Sequence, residues 1–442
     1  MTVKAETTPR GGSRFWALQV LRTVDQRGSL VNLALQSVLG QIPSHERALT
    51  TELVYGITRH QRTLDALIEQ FSQRPIQQQP PLLRRLLHLG LYQLRHLSQV
   101  PAAIAVSSTV DLARQHHLGR LSGVVNGVLR NYLRDPELHL DPQEGVARLG
   151  LTYSYPDWLI QLWAASLPLE EVEALCQYFN HVPSLDLRVN LWRTTRESVQ
   201  AQLAHVGIPS EPWPSSRTAL RVTAHHGDPS QWPGLAEGHW SVQDSSAQQV
   251  VEWLDPQPGE LIIDGCAAPG GKTGHLGEAM HNQGRIIALD HHAGRLRRVR
   301  DHAERLGLTI VHTQAVTLGD PQFDPLAQGL PAWGSVDRVL LDVPCSGLGT
   351  LHRHADGRWR QSPETWAALL PRQAALLEQA HAWLKPGGTL VYATCTLNPA
   401  ENEQQIARFG QAHPDWTVET QTIWPHRHQQ DGFFMAKLRA PD

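Results

Sequence analysis

The chain of 442 residues is poor in cysteine, with only Cys176, Cys266, Cys345 and Cys395. They form no CxxC pair and keep no zinc-finger spacing with histidine, so neither a disulfide framework nor a structural zinc is expected. Long hydrophobic runs are missing too. None approaches the roughly 18 apolar residues of a membrane span, and residues 1–14 hold no apolar core of a leader, so a cytoplasmic chain without a membrane partner is expected. Neither sign of charge is in excess: 39 Lys plus Arg stand against 42 Asp plus Glu, a net of −3 that gives no overall hint of nucleic acid. Charged residues at 18% and apolar ones at 41% exclude a charge-driven disordered chain. The 24 histidines include the neighbours His116-His117 and His291-His292. Sequence neighbours point to different faces of an element, so no metal site is expected.

The distribution of charge says more than its sum. Residues 1–140 hold 16 basic and 9 acidic side chains, a net of +7, while the other 302 residues hold 23 and 33, a net of −10. A basic module joined to an acidic one suggests that binding and chemistry are divided between them. Within residues 13–133 apolar side chains recur at helical spacing, as in Leu83, Leu86, Leu87, Leu91 and Leu94, or Leu121, Val124, Val125, Val128, Leu129, Tyr132 and Leu133. The spacing predicts an all-α bundle over 1–140, ending near Asp135-Pro136. Residues 146–235 mix helical pattern at 156–165, 169–179 and 194–206 with a strand-like stretch at 185–191, and read as a small α/β adaptor domain. Over 238–442 short apolar strands at 261–264, 285–289, 309–312, 338–341 and 389–394 alternate with amphipathic helices. That pattern predicts a Rossmann-like α/β domain with a parallel sheet and crossovers on both faces. Ligands then belong at the carboxyl ends of its strands.

The first of these strands ends in Asp264-Gly265-Cys266-Ala267-Ala268-Pro269-Gly270-Gly271-Lys272-Thr273. Its small residues let backbone approach a ligand, and the helix that follows offers free N–H groups. It is not a Walker loop, because Cys266 stands where the first glycine of that motif is needed. The second strand ends at Asp290, placed to accept from a ribose diol. Together these read as a nucleoside-cofactor site. Two later strands end in Asp342-Val343-Pro344-Cys345-Ser346 and Ala393-Thr394-Cys395. A lone cysteine is usually a small buried hydrophobe. Thiols just past strand ends, on the ligand side of a parallel sheet, are instead where nucleophiles stand.

These motifs, with Gln243-Asp244-Ser245-Ser246-Ala247-Gln248, Glu401-Asn402-Glu403 and residues 431–437, resemble the bacterial RNA cytosine-C5 methyltransferases of the Sun/Fmu family, and most closely the members that act on 16S ribosomal RNA. Residues 13–133 resemble the NusB helical RNA-binding domain, with Leu53-Val54-Tyr55-Gly56 and Val125-Asn126-Gly127-Val128-Leu129 as the clearest matches. The resemblance implies S-adenosyl-L-methionine as cofactor, held by Cys266, Ala267, Ala268, Pro269, Gly270, Gly271, Lys272, Asp290 and Asp342. It implies Cys395 as the nucleophile that adds to cytosine C6, Cys345 as the thiol that assists release of the methylated base, Asp342 at the base edge, and Lys272 reaching cofactor and base. The implied partner is 16S rRNA, naked or partly assembled, met by a monomer. Transfer RNA as target, or an inactive RNA-binding factor of the antitermination type, are the alternatives. Two positions depart from the family pattern. Gly265 replaces a larger small residue, and Gln314-Ala315-Val316-Thr317 stands where an acidic contact to adenine is usual. Either Asp320 substitutes there, or backbone and apolar contacts hold the adenine.

Overall fold

The computed structural model describes residues 12–72, 74–138, 144–224 and 227–442, and the chain forms two compact units. The first comprises residues up to 181 together with 351–360. Its helices are α1 (Ser13–Arg27), α2 (Val31–Leu39), α3 (Ser44–Arg59), α4 (Gln61–Phe71), α5 (Pro81–His96), α6 (Ala102–Gln115), α7 (Ser122–Arg134), α8 (Gly145–Tyr153), α9 (Asp157–Ala164) and α10 (Leu169–Asn180). The leucine stripe on α5 is buried as its spacing requires, with Leu94 half-buried at its end. On α7 the buried set is narrower than the sequence suggests: Val125, Val128, Leu129 and Tyr132 face the core, whereas Val124 and Leu133 are exposed. Val124 lies one residue before Val125, hence about 100° round the helix and off the stripe. α5 and α7 pack closely at Gly90, where a Cβ would come 2.6 Å from Leu129. Within the same unit Arg358 is fully buried, donating to Asn180 Oδ1 at 2.9 Å and Arg59 O at 3.2 Å, with its guanidinium 4.0 Å over the Tyr155 ring. Burial lowers its pKa to about 10.

The second unit opens with a small antiparallel sheet. Its members are β1 (Leu185–Val189), β2 (Ser210–Pro212), β3 (Ala219–Val222) and β4 (Trp240–Val242), in the order β2-β3-β1-β4. Helix α11 (Arg196–His205) covers one face and buries Val199 and Leu203 against Leu187, Val189 and Trp240. Then follow α12 (Ser245–Leu254), β5 (Leu261–Asp264), α13 (Gly271–Ala279), β6 (Arg285–Asp290), α14 (Ala293–Leu306), β7 (Val311–Ala315) and β8 (Val336–Asp342). After α15 (Gly357–Arg360), which belongs to the first unit, come α16 (Pro363–Ala367), α17 (Leu370–His381), β9 (Leu384–Thr394), α18 (Glu403–Ala412), β10 (Thr417–Ile423), α19 (Pro425–His428) and β11 (Phe433–Arg439).

The main sheet runs β10-β11-β9-β8-β5-β6-β7. Strands β5 to β9 pair in parallel, but β11 is antiparallel to both β9 and β10. The all-parallel sheet expected from the sequence is thus a mixed one, because β10 and β11 are joined by a short connection that reverses the chain instead of a helical crossover. The third strand also starts two residues later than its apolar pattern implies: Ile310 packs in the core just before it, while β7 itself is an edge strand with exposed His312. From β5 the chain passes to β6 and β7 on one side and later to β8 and β9 on the other. The order therefore reverses between β5 and β8, the place where open α/β sheets bind ligands. No helix among the described residues is long and apolar enough to cross a membrane.

Candidate active site at the strand ends

The loop after β5 is held by its neighbours on both sides: Gly265 N–H donates to Leu340 O at 2.9 Å and Ala267 N–H to Leu289 O at 2.8 Å. It enters α13 through Gly270, whose φ of +106° suits glycine alone and whose added Cβ would meet Val299 Cα at 2.9 Å. The first-turn amides of α13 have no partner within their own helix. Behind the loop, fully buried Arg188 donates to both carboxylate oxygens of Glu278 at 2.8 Å and to Gly271 O at 2.6 Å, so that the small sheet braces the start of α13.

Strand ends bring two acids and three thiols to one cleft of about 230 Å³, bordered by Cys266, Asp290, Asp342, Cys345 and Cys395. Asp290 accepts from His292 N–H at 2.9 Å, which fixes its carboxylate at the end of β6. Asp342 Oδ2 accepts from Lys272 Nζ at 2.6 Å, and the same ammonium stands 4.9 Å from the Phe433 ring centre. The Cys345 and Cys395 sulfurs are 3.4 Å apart. The hydrogen bond with Cys395, reinforced by burial, holds the Cys345 thiol well above its ordinary pKa. Burial raises the Cys266 thiol as well, which makes it a small packing group on the cleft wall.

Several residues that the sequence singled out only as motif, or not at all, build the frame of this cleft. Glu401 is fully buried and accepts from Ser346 N–H at 2.9 Å, Gln373 Nε2 at 3.0 Å and Asn398 Nδ2 at 3.0 Å, with Ser346 Oγ also donating. One carboxylate thus ties the Cys345 loop to the Cys395 loop. A second tie is Gly349 N–H to Cys395 O at 2.9 Å, and Gly349 must be glycine because a Cβ there would collide with Gly432 O. The motif 243–248 proves to be a helix cap: Asp244 accepts from Ser246 N–H at 2.9 Å and from Asp431 N–H at 3.2 Å. Asp264 is buried with Thr273 Oγ1 donating to its Oδ2 at 2.6 Å and with Oδ1 unpartnered, and burial raises its pKa to about 7. Arg295 and Arg372 line the cleft mouth beside His291, a feature no spacing in the sequence announces. Where the family resemblance implies an acidic contact to adenine, the cleft wall is Val316 and Leu318, and Asp320 lines the adjoining cleft instead. A signal for Glu401 did exist, since its motif follows Cys395 closely, but its role depends on contacts 28 and 55 residues away.

Comparison with known proteins agrees along the chain. Family models match residues 251–439 as 16S rRNA methyltransferase RsmB/F, residues 12–134 as the NusB family, and residues 155–226 as an RsmF/B-like ferredoxin-like domain. A probable ribosomal RNA small subunit methyltransferase B of Synechocystis is 48% identical, with 97% of this chain and 99% of the relative covered. Ribosomal RNA small subunit methyltransferase B of Vibrio cholerae is 37% identical, with 96% of each covered. Among solved structures, PH0851 superposes with a TM-score of 0.78 at 26% identity, over 96% of this chain and 97% of that one.

Proposed function

The chain belongs to the family of ribosomal RNA small-subunit methyltransferase B, and from that premise we propose that it methylates C5 of one cytidine in 16S ribosomal RNA through a covalent Cys395 adduct. The observation that carries this reading is the pair of thiols 3.4 Å apart at the ends of two adjacent parallel strands, beside the Lys272–Asp342 pair. The loop residues 265–271 and Asp290 fit the S-adenosyl-L-methionine that the family implies: the Gly270 turn lacks room for a side chain, and a fixed carboxylate suits a ribose diol. That cofactor, when bound, supplies an electrophilic methyl group. Val316 and Leu318 would offer the adenine an apolar wall, which favours apolar contacts over Asp320 for holding it.

Cytosine C5 is a poor nucleophile until a thiolate adds at C6. The Cys395 sulfur forms the S–C6 bond and the displaced ring electrons make C5 enamine-like. Asp342, kept in place by Lys272, orients the base edge at N3 or the exocyclic amine. In this reading Cys395 attacks as the thiolate, its proton lost to solvent, while Cys345, held above its ordinary pKa by the hydrogen bond with Cys395 and by burial, keeps its own. Once Cys395 is a thioether, its negative charge no longer opposes ionisation of Cys345, which gives up its proton to solvent and accepts the one on C5. Loss of that C5 proton returns an electron pair to the ring and expels Cys395 as thiolate. Attack on C6 needs the face of the base, so the target cytidine is unpaired or flipped out.

Incubation with labelled cofactor and unmodified 16S rRNA should yield one 5-methylcytidine, absent with Cys395→Ala. Cys345→Ala should accumulate a protein–RNA adduct that survives denaturing gels. Full methylation by Cys395→Ala would end this reading.

A further inference from the structure

The acidic balance of the chain beyond residue 140 hides one strongly basic element, α14. It carries Arg295, Arg297, Arg298, Arg300 and Arg305 in 14 residues. Leu296, Val299, Ala303 and Leu306 form its buried stripe. Arg297 and Arg298 project to the opposite side of the helix, and Arg300 is exposed on its flank. Arg305 is used internally, donating to Leu235 O at 2.6 Å and to Ser241 Oγ at 2.6 Å. Arg300 makes a weaker contact to Thr313 Oγ1 at 3.1 Å. Among the described residues no carboxylate forms an ion pair with Arg297, Arg298 or Arg300, although Asp301 and Glu304 share the helix.

The position of this helix gives the charge a meaning. α14 starts three residues after Asp290, and Arg295 and Arg372 stand at the mouth of the cleft that holds the two thiols, Arg372 lying 3.5 Å from His291. A nucleotide whose base enters that cleft must leave its phosphodiester chain at the mouth. The helix extends about 21 Å from there, several phosphate spacings. Unpaired arginines on a solvated face suit phosphate oxygens, which accept from the guanidinium fork.

We propose that the exposed face of α14, centred on Arg297 and Arg298, is an RNA-backbone track that receives the strand flanking the target nucleotide, so that the catalytic unit grips RNA in its own right. This rests on the function proposed above. The RNA grip is then not confined to the basic module of residues 1–140.

The test uses the full chain and an unmodified 16S rRNA transcript. In Arg297→Ala with Arg298→Ala, RNA affinity should fall about tenfold near 0.15 M salt, and the slope of log affinity against log salt should flatten by roughly 1.4 to 1.8, the share of two phosphates. Cofactor affinity by calorimetry and the melting temperature should stay as in the wild type. The comparison variant is Arg285→Ala with Arg439→Ala, two exposed arginines at the far end of the sheet, Arg285 opening β6 and Arg439 facing Thr389 early in β9. It removes the same charge and should leave the slope unchanged. An unaltered affinity and slope in the α14 variant, or an equal loss in both variants, overturns the track. Because binding is read separately from methylation, a wild-type protein that grips RNA through α14 but makes no 5-methylcytidine would refute the proposed reaction and leave the track standing.

Discussion

Lys272 Nζ lies 2.6 Å from Asp342 Oδ2, a bond that joins the first turn of α13 to the end of β8 across the point where the sheet order reverses. Lysine is scarce in this chain, with only Lys4, Lys272, Lys385 and Lys437, so the one beside the thiols is not a product of abundance. Lys272→Met should leave Asp342 without its cation and lower single-turnover methyl transfer by at least about 100-fold, the scale of a lost positioned charge. The melting temperature should move by only a few degrees, since the pair is partly open to solvent. Near-normal turnover in this variant would remove the pair from the chemistry.

The two sulfurs make a prediction about pH. Hydrogen bonding to Cys395 is the foremost cause of the raised Cys345 pKa, ahead of burial. Replacing Cys395 with alanine therefore favours the Cys345 thiolate, and the pH profile of Cys345 alkylation by iodoacetamide should shift to lower pH than in the wild type. A profile that stays in place would show that burial alone sets the thiol, and the proposed release of the Cys345 proton once Cys395 is a thioether would fail.

Glu401 holds both cysteine loops with none of its donors a cation. Glu401→Gln turns one acceptor oxygen into an NH₂ group facing donors already present, at Ser346 or at Asn398. A loss of about 2–3 kcal/mol of stability is expected from the broken buried network, together with at least a tenfold drop in kcat. Urea unfolding and steady-state kinetics measure the two effects. Unchanged values in both would mean that the carboxylate is not what keeps the loops together.

Asp264 bears on stability against pH. Burial raises its folded-state pKa to about 7, whereas an unfolded aspartate titrates near 3.9. Between these values the folded state binds more protons than the unfolded one, so the contribution of Asp264 is full below about pH 4 and declines as pH rises to about 7. Asp264→Asn keeps an acceptor for Thr273 Oγ1 and removes the titration. Its stability relative to the wild type should grow across that window, by at most about 4 kcal/mol. A constant difference from pH 4 to pH 8 would refute the assignment.

The Gly270 turn can be probed with a single methyl group. Gly270→Ala imposes a strained φ and a 2.9 Å approach to the Val299 backbone, so α14 and the loop cannot both keep their places. A loss of S-adenosyl-L-methionine binding by calorimetry is expected, with destabilisation of about 1–3 kcal/mol. Wild-type affinity would place the cofactor away from this loop.

Much of the molecule was legible from residues alone, because its signals are local. Helical spacing marks α5 and the core of α7, the motif around Cys266 marks a strand-to-helix turn, and the thiols announce themselves by standing at strand ends. The reversal at β10 and β11 was not legible, since edge and antiparallel strands differ from parallel ones in their partners more than in their composition. Val124 and Leu133 read as core until the helix is turned to its true face.

The sequence by itself determined the chemical inventory: two thiols, Asp342, Lys272, Asp290 and a turn that tolerates only small residues. The tertiary structure alone decided their relations. It set the sulfurs 3.4 Å apart although 50 residues separate them, bound Lys272 to Asp342 across 70 residues, enclosed Glu401 between two loops, and put a basic helix at the mouth of the cleft. Spacing along a chain reports the angle between neighbours on one element, whereas distance between strand ends depends on the pairing order of the sheet, which no short motif encodes.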